Sequence, residues 1–148
     1  MRLNLLAAAS LCFSAALPAA AQYDDSANIN AAYERGKGWG TTPLTLNELV
    51  GCAAYWHVWR EFHEDEYGEA MLAKLDPALL EPQAEAALQH WELKANEAIA
   101  GVEDGEAQFK AAADRFIAEA WEEGEGLVFG DSYLYAEMLG ACARPAED

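Results

Sequence analysis

Histidines, cysteines and carboxylates are the side chains of this 148-residue sequence best placed to do chemistry: it has 3 His, 3 Cys and 26 Asp plus Glu. His57 and Glu61 are four apart. On a helix that spacing puts both on one face, where they could offer two ligands to a divalent cation. His63 falls on the same helical stripe as Trp56 and Trp59, where a titratable ring lies among aromatics. His57, Glu61 and His63 are therefore the candidate metal ligands, and a complete site would need further ligands from other helices. The Glu-x-x-His signature of di-metal carboxylate bundles is missing, because Ala54, Arg60 and Ala87 stand three residues before His57, His63 and His90.

No catalytic residue and no cofactor can be assigned. The sequence has no Gly-x-Ser-x-Gly elbow, no His-Glu-x-x-His, no EF-hand loop and no Cys-x-x-Cys-His haem attachment. Past residue 21 the only serines are Ser26 and Ser132, which leaves little room for a serine hydrolase. Gly36-Lys37-Gly38-Trp39-Gly40 lacks the Gly-Lys-Ser/Thr that cradles nucleotide phosphates. Carboxylate pairs of the glycosidase kind are numerous, but nothing singles one out. The expectation is a protein that is not an enzyme.

The cysteines are interpretable only with the N-terminus. Residues 1–21 hold no Asp or Glu; Arg2 precedes an apolar run from Leu3 to Leu17, and Pro18-Ala19-Ala20-Ala21 supplies small residues. This pattern predicts a signal peptide cleaved between Ala21 and Gln22. Leu11, not a small residue, precedes Cys12, which argues against a lipid anchor there. Cleavage removes Cys12 and Arg2, shifts the net charge from minus 17 to minus 18, and leaves Cys52 and Cys142. An even pair in an exported chain predicts a disulfide. With no Cys-x-x-Cys and no neighbouring His, a metal or redox role for these thiols is disfavoured. No later segment approaches the ~20 apolar residues of a membrane span, so the mature chain is expected not to insert in a membrane.

These residues need elements to position them. Residues 22–44 show no clear period and are expected to form a flexible polar leader from which Trp39 docks on the core. Thr45 and Glu48 make a capping box, and Leu49, Cys52, Trp56, Trp59, His63 and Tyr67 then form one stripe at about 100° per residue, predicting a helix from Leu46 to Tyr67. Asp76-Pro77 and Glu81-Pro82 both resemble helix starts. The second is followed by the stripe Ala84, Ala87, Leu88, Trp91, Ala95, Ala98 and Ile99, ending at Gly101. A third helix is expected from an Asp104 cap, with Phe109, Ala112, Ala113, Phe116 and Ala120 inward and a Glu106–Lys110 pair outward, ending in Glu122–Gly126. After an apolar connector, Leu127–Phe129, Asp131 caps a last helix carrying Leu134, Tyr135, Met138, Leu139 and Cys142. The pattern predicts an all-α protein: one domain over 45–145, a small bundle of about four helices closed by one disulfide.

Composition bounds the function. Nine Lys plus Arg against 26 acids excludes a nucleic-acid binder, which needs a positive surface. An acidic surface on an exported domain favours basic proteins or divalent cations as partners. The expectation is a periplasmic or secreted interaction module of the bacterial envelope, of inhibitor or immunity type, facing a basic protein partner. The alternative is a metal- or small-ligand-binding bundle using His57, His63 and nearby carboxylates.

Overall fold

The computed structural model describes residues 24–40 and 42–145. The expected signal peptide and the cleavage point between Ala21 and Gln22 lie outside them. Among the described residues the fold is all-helical, with no strand.

Helix α2 (Leu46–Glu66) is the axis of the fold. Both halves of its capping box are made: Thr45 Oγ1 accepts from the Glu48 amide at 3.3 Å, and Glu48 Oε2 accepts from the Thr45 amide at 2.8 Å. The predicted stripe is buried in full, and so are Val50, Ala53, Ala54, Tyr55 and Val58. A helix buried nearly all round must have neighbours on several sides. Here α4 (Gln83–Ile99), α5 (Gly105–Val128) and α6 (Leu134–Ala141) all pack on it.

The disulfide forms between Cys52 on α2 and Cys142 just past α6, with Cα atoms 5.2 Å apart. The Cys142 carbonyl accepts two indole N–H groups, from Trp56 at 2.8 Å and from Trp91 at 2.7 Å. Helices α2, α4 and α6 therefore meet at one residue through a covalent bond and two buried hydrogen bonds. Trp59 donates to the Leu79 carbonyl at 2.7 Å, which holds a 3₁₀ turn (Pro77–Leu79) against the axis. The Asp76 carboxylate caps that turn at the Ala78 amide, as Asp76-Pro77 implied.

The described part of the expected leader is not simply flexible. Ser26–Lys37 forms helix α1, with Ile29, Ala32, Tyr33 and Gly36 buried at helical spacing against α6. The two backbones nearly touch. A Cβ on Gly36 would lie 1.8 Å from the Glu137 carbonyl oxygen, and one on Gly140 would lie 2.0 Å from that of Tyr33. The helices interlock through reciprocal glycines, so α1 belongs to the folded domain. Asn30 ties it to the loop before the 3₁₀ turn, donating to the Lys74 carbonyl at 2.8 Å and accepting from the Asp76 amide at 2.7 Å. Trp39, expected on the core, is 45% exposed beyond the end of α1.

Other boundaries move for physical reasons. The described residues hold six α-helices, not about four, because α1 and the single turn α3 (Glu69–Leu72) add to the expected set. Helix α5 runs through Glu122–Gly126, since Gly124 is a contact point: a Cβ there would meet the Phe62 ring at 3.1 Å. Burial of Leu127 then draws the last turn into the core, and the chain breaks at Gly130, φ +72°. Asp104 takes a left-handed conformation (φ 58°) and makes no side-chain cap, and Lys110 pairs with Asp114 at 2.6 Å in place of Glu106. Ser132 Oγ, not Asp131, accepts the Leu134 amide at the start of α6. On α4, Ala98 is exposed instead of inward.

Candidate functional site

His57 and Glu61 do meet on the surface of α2, with Nε2 and Oε1 3.2 Å apart. His63 does not join them. It is buried, its ring stacks on Trp59 at 5.1 Å with planes 16° apart, and its Nδ1 lies 2.9 Å from the Trp59 carbonyl. A carbonyl oxygen can only accept, so Nδ1 is the protonated nitrogen. Six residues along a helix put His63 about a third of a turn from His57, which is why one turns inward and the other outward. Among the described residues no group of three His, Cys, Asp or Glu side chains converges as a metal would require.

A second polar system crosses the core. The Tyr135 hydroxyl donates to the Tyr55 carbonyl at 2.6 Å, and the Tyr55 hydroxyl donates to Glu123 at 2.8 Å. Burial lifts the Glu123 carboxyl above the ordinary range, against the pull of the Tyr55 hydrogen bond. This run of hydrogen bonds ends at Glu123 on α5. Its role is to fix α6 and α5 on α2.

What the surface offers is an aromatic hollow. Phe62, Trp121, Gly124, Val128 and Phe129 line a cavity of about 430 Å3 with Glu66 and Glu125 among its walls. Phe129 is 76% exposed and Trp121 38% exposed, while the Trp121 ring contacts buried Phe62 at 6.0 Å. One aromatic is thus anchored from beneath and the other projects. The sequence reading passed over both, taking Leu127–Phe129 as a connector. The signal was the switch within three residues: on the last turn of a helix, buried Leu127 leaves Phe129 about 200° away, facing water.

Six of the described cations are engaged away from this face. Arg35, Lys37, Arg60, Lys74, Lys94 and Lys110 are each engaged with carboxylates of their own neighbourhood. Arg60 alone bridges two, Glu81 at 2.5 Å and Glu85 at 2.6 Å. None of these cations reaches Glu66, Glu122 or Glu125. A groove of about 290 Å3, lined by Trp39, Phe116 and Met138, runs beside the disulfide; Glu48, one of its carboxylates, is already spent on the capping box. No described helix is long and apolar enough to cross a membrane.

No protein family, curated protein or solved structure matches this chain significantly.

Proposed function

We propose that this chain is a non-catalytic interaction module of the bacterial envelope, periplasmic or secreted and of inhibitor or immunity type, which presents the Trp121–Phe129 face to a basic protein partner. The observation that carries this reading is the pairing of two exposed aromatics over one hollow with carboxylates that Arg35, Lys37, Arg60, Lys74, Lys94 and Lys110, engaged elsewhere, do not reach. Interfaces draw most of their energy from a few large anchors, Trp and aromatic side chains above all, inside a polar rim. Here the rim is acidic. A partner carrying Arg or Lys beside an apolar surface would stack on the rings and pair with the rim. The Cys52–Cys142 bridge supports an oxidising compartment, where such bonds persist.

Affinity capture from envelope extracts tests the reading, with the intact protein and with Trp121→Ala plus Phe129→Ser. A partner released by salt and lost with the double variant is the expected result. Phe129 is largely in solvent, so Phe129→Ser alone should keep its melting temperature and serves as the control, whereas Trp121→Ala also removes packing on Phe62 and should lower it. Capture that ignores both salt and the double substitution would sink the proposal.

A further inference from the structure

Each helix that walls the aromatic hollow carries an aromatic ring followed four residues later by a carboxylate: Phe62 and Glu66 on α2, Trp121 and Glu125 on α5, with Phe129 four residues further on. Four residues is about one helical turn, so ring and carboxylate stand side by side on one face of each helix. The Phe62 and Trp121 rings are inclined at 45°, with centroids 6.0 Å apart, and Gly124 brings no side chain into the space between the helices. A single water needs only ~10–15 Å3 of such space, so about 430 Å3 admits a whole side chain.

An occupant that fits must offer a flat face to the rings and positive hydrogen-bond donors to carboxylates one turn away. An anion would meet Glu66 and Glu125 as like charges. A quaternary ammonium gains from rings but has no N–H for the carboxylates. A lysine ammonium has donors, yet it is a compact, strongly hydrated point charge with no flat face. A guanidinium has both, because its plane stacks on a ring while its five N–H groups point outward in that plane. The protein already uses each half of this recognition within itself. Arg60 forks between Glu81 at 2.5 Å and Glu85 at 2.6 Å, and the Arg115 guanidinium lies 4.3 Å from the centre of the Phe116 ring. The Lys37 ammonium sits farther from its ring, 5.6 Å over Tyr33.

We infer that the hollow is the receptor for one arginine side chain of the protein partner. The guanidinium stacks on Trp121, its N–H groups donate to Glu66 and Glu125, and its methylene stem lies along Val128 and Phe129. The inference rests on the docking reading and adds to it the residue type that the partner inserts.

The test titrates the full disulfide-bonded protein with arginine, lysine and citrulline, each Nα-acetylated and amidated so that only the side chain differs, and follows amide and indole shifts by NMR. Arginine is expected to give saturable shifts centred on residues 62–66 and 121–129. Citrulline keeps the shape and loses the charge, so it should bind at least about tenfold more weakly, and lysine severalfold more weakly. Glu66→Gln and Glu125→Gln, both at exposed positions, should each weaken arginine severalfold. Phe129→Ser, at a side chain largely in solvent, should do the same. Glu106→Gln, exposed at the other end of α5, makes the same change in net charge and should leave arginine binding unaltered. Equal binding of arginine and lysine, equal binding of arginine and citrulline, no saturable binding, or indifference to Glu66→Gln and Glu125→Gln would overturn the inference. The docking reading fails on a different result, capture that ignores salt and the double substitution, so the two failures are told apart.

Discussion

At the scale of single residues, much of the stabilisation converges on one carbonyl. The Cys142 oxygen takes the indole N–H of both Trp56 and Trp91, each fully inside the protein. Either single replacement by Phe leaves that oxygen one donor; only the double replacement leaves it none. Each single variant should therefore cost about 1–3 kcal/mol from lost volume and one hydrogen bond. The double variant should cost more than the two together, read by urea unfolding in a double-mutant cycle. Simple additivity would mean that the shared carbonyl is not what couples them. The residue types on this stripe were legible from spacing, but their partners were not. Cys52, Trp56, Trp59 and His63 share one face by periodicity alone. Which carbonyl each indole finds depends on residues as many as 86 positions away.

At the scale of elements, α1 shows where local rules fail. Its apolar side is Ile29, Ala32, Tyr33 and Gly36, a helical spacing built from small and few residues. Short helices with so little apolar area are marginal alone and take their stability from what they dock on. The docking surface is α6, and glycine is what allows the approach. Gly140→Ala places a methyl group where the Tyr33 carbonyl oxygen now lies, 2.0 Å from the new Cβ. The expected result is a loss of about 1–3 kcal/mol or more. It should come with hydrogen exchange that rises across 26–37 first, since α1 is what must move away. Gly126→Ala is the control, because its Cβ, in the last turn of α5, would meet Ser132 at an ordinary 3.6 Å. It should be neutral or stabilise by about 0.5–1 kcal/mol. Similar losses from both would show that the interlock has no special role. Helix α2 is the opposite case, written out in advance by Thr45, Glu48 and an unbroken stripe.

At the scale of the whole molecule, the bridge and the buried phenols set the conditions under which it holds. A disulfide closing 90 residues of chain stabilises by about 4–5 kcal/mol in the chain-entropy picture. That is comparable to the total stability of a small domain. Burial also raises the ionisation of four phenols: Tyr33 to about 12, and Tyr55, Tyr67 and Tyr135 further still. Unfolded, each returns to the ordinary 10.0. The folded state thus holds protons that the unfolded state releases, and stability is whole below pH 10 and falls as pH rises toward the folded values. Phenolate absorbance and the loss of helical circular dichroism should rise together in one alkaline transition. Phenols that ionise near their ordinary value while the helices persist would contradict the burial described here.

By itself the sequence determined the class of the fold, the axis helix, the identity of the bridged cysteines and the excess of acid. Each of these rests on composition, or on rules that act within a few residues: a cap, a period, an even pair of thiols. Only the tertiary structure decided that Ser26–Lys37 is a docked helix, that His63 turns inward away from His57, that α5 continues to Val128, and that Tyr67 and Asp25 share a cavity. Those outcomes depend on distant segments, such as α6, whose Glu137 carboxylate accepts from Arg35 102 residues away. A close approach is a property of two surfaces, and neither segment carries it alone.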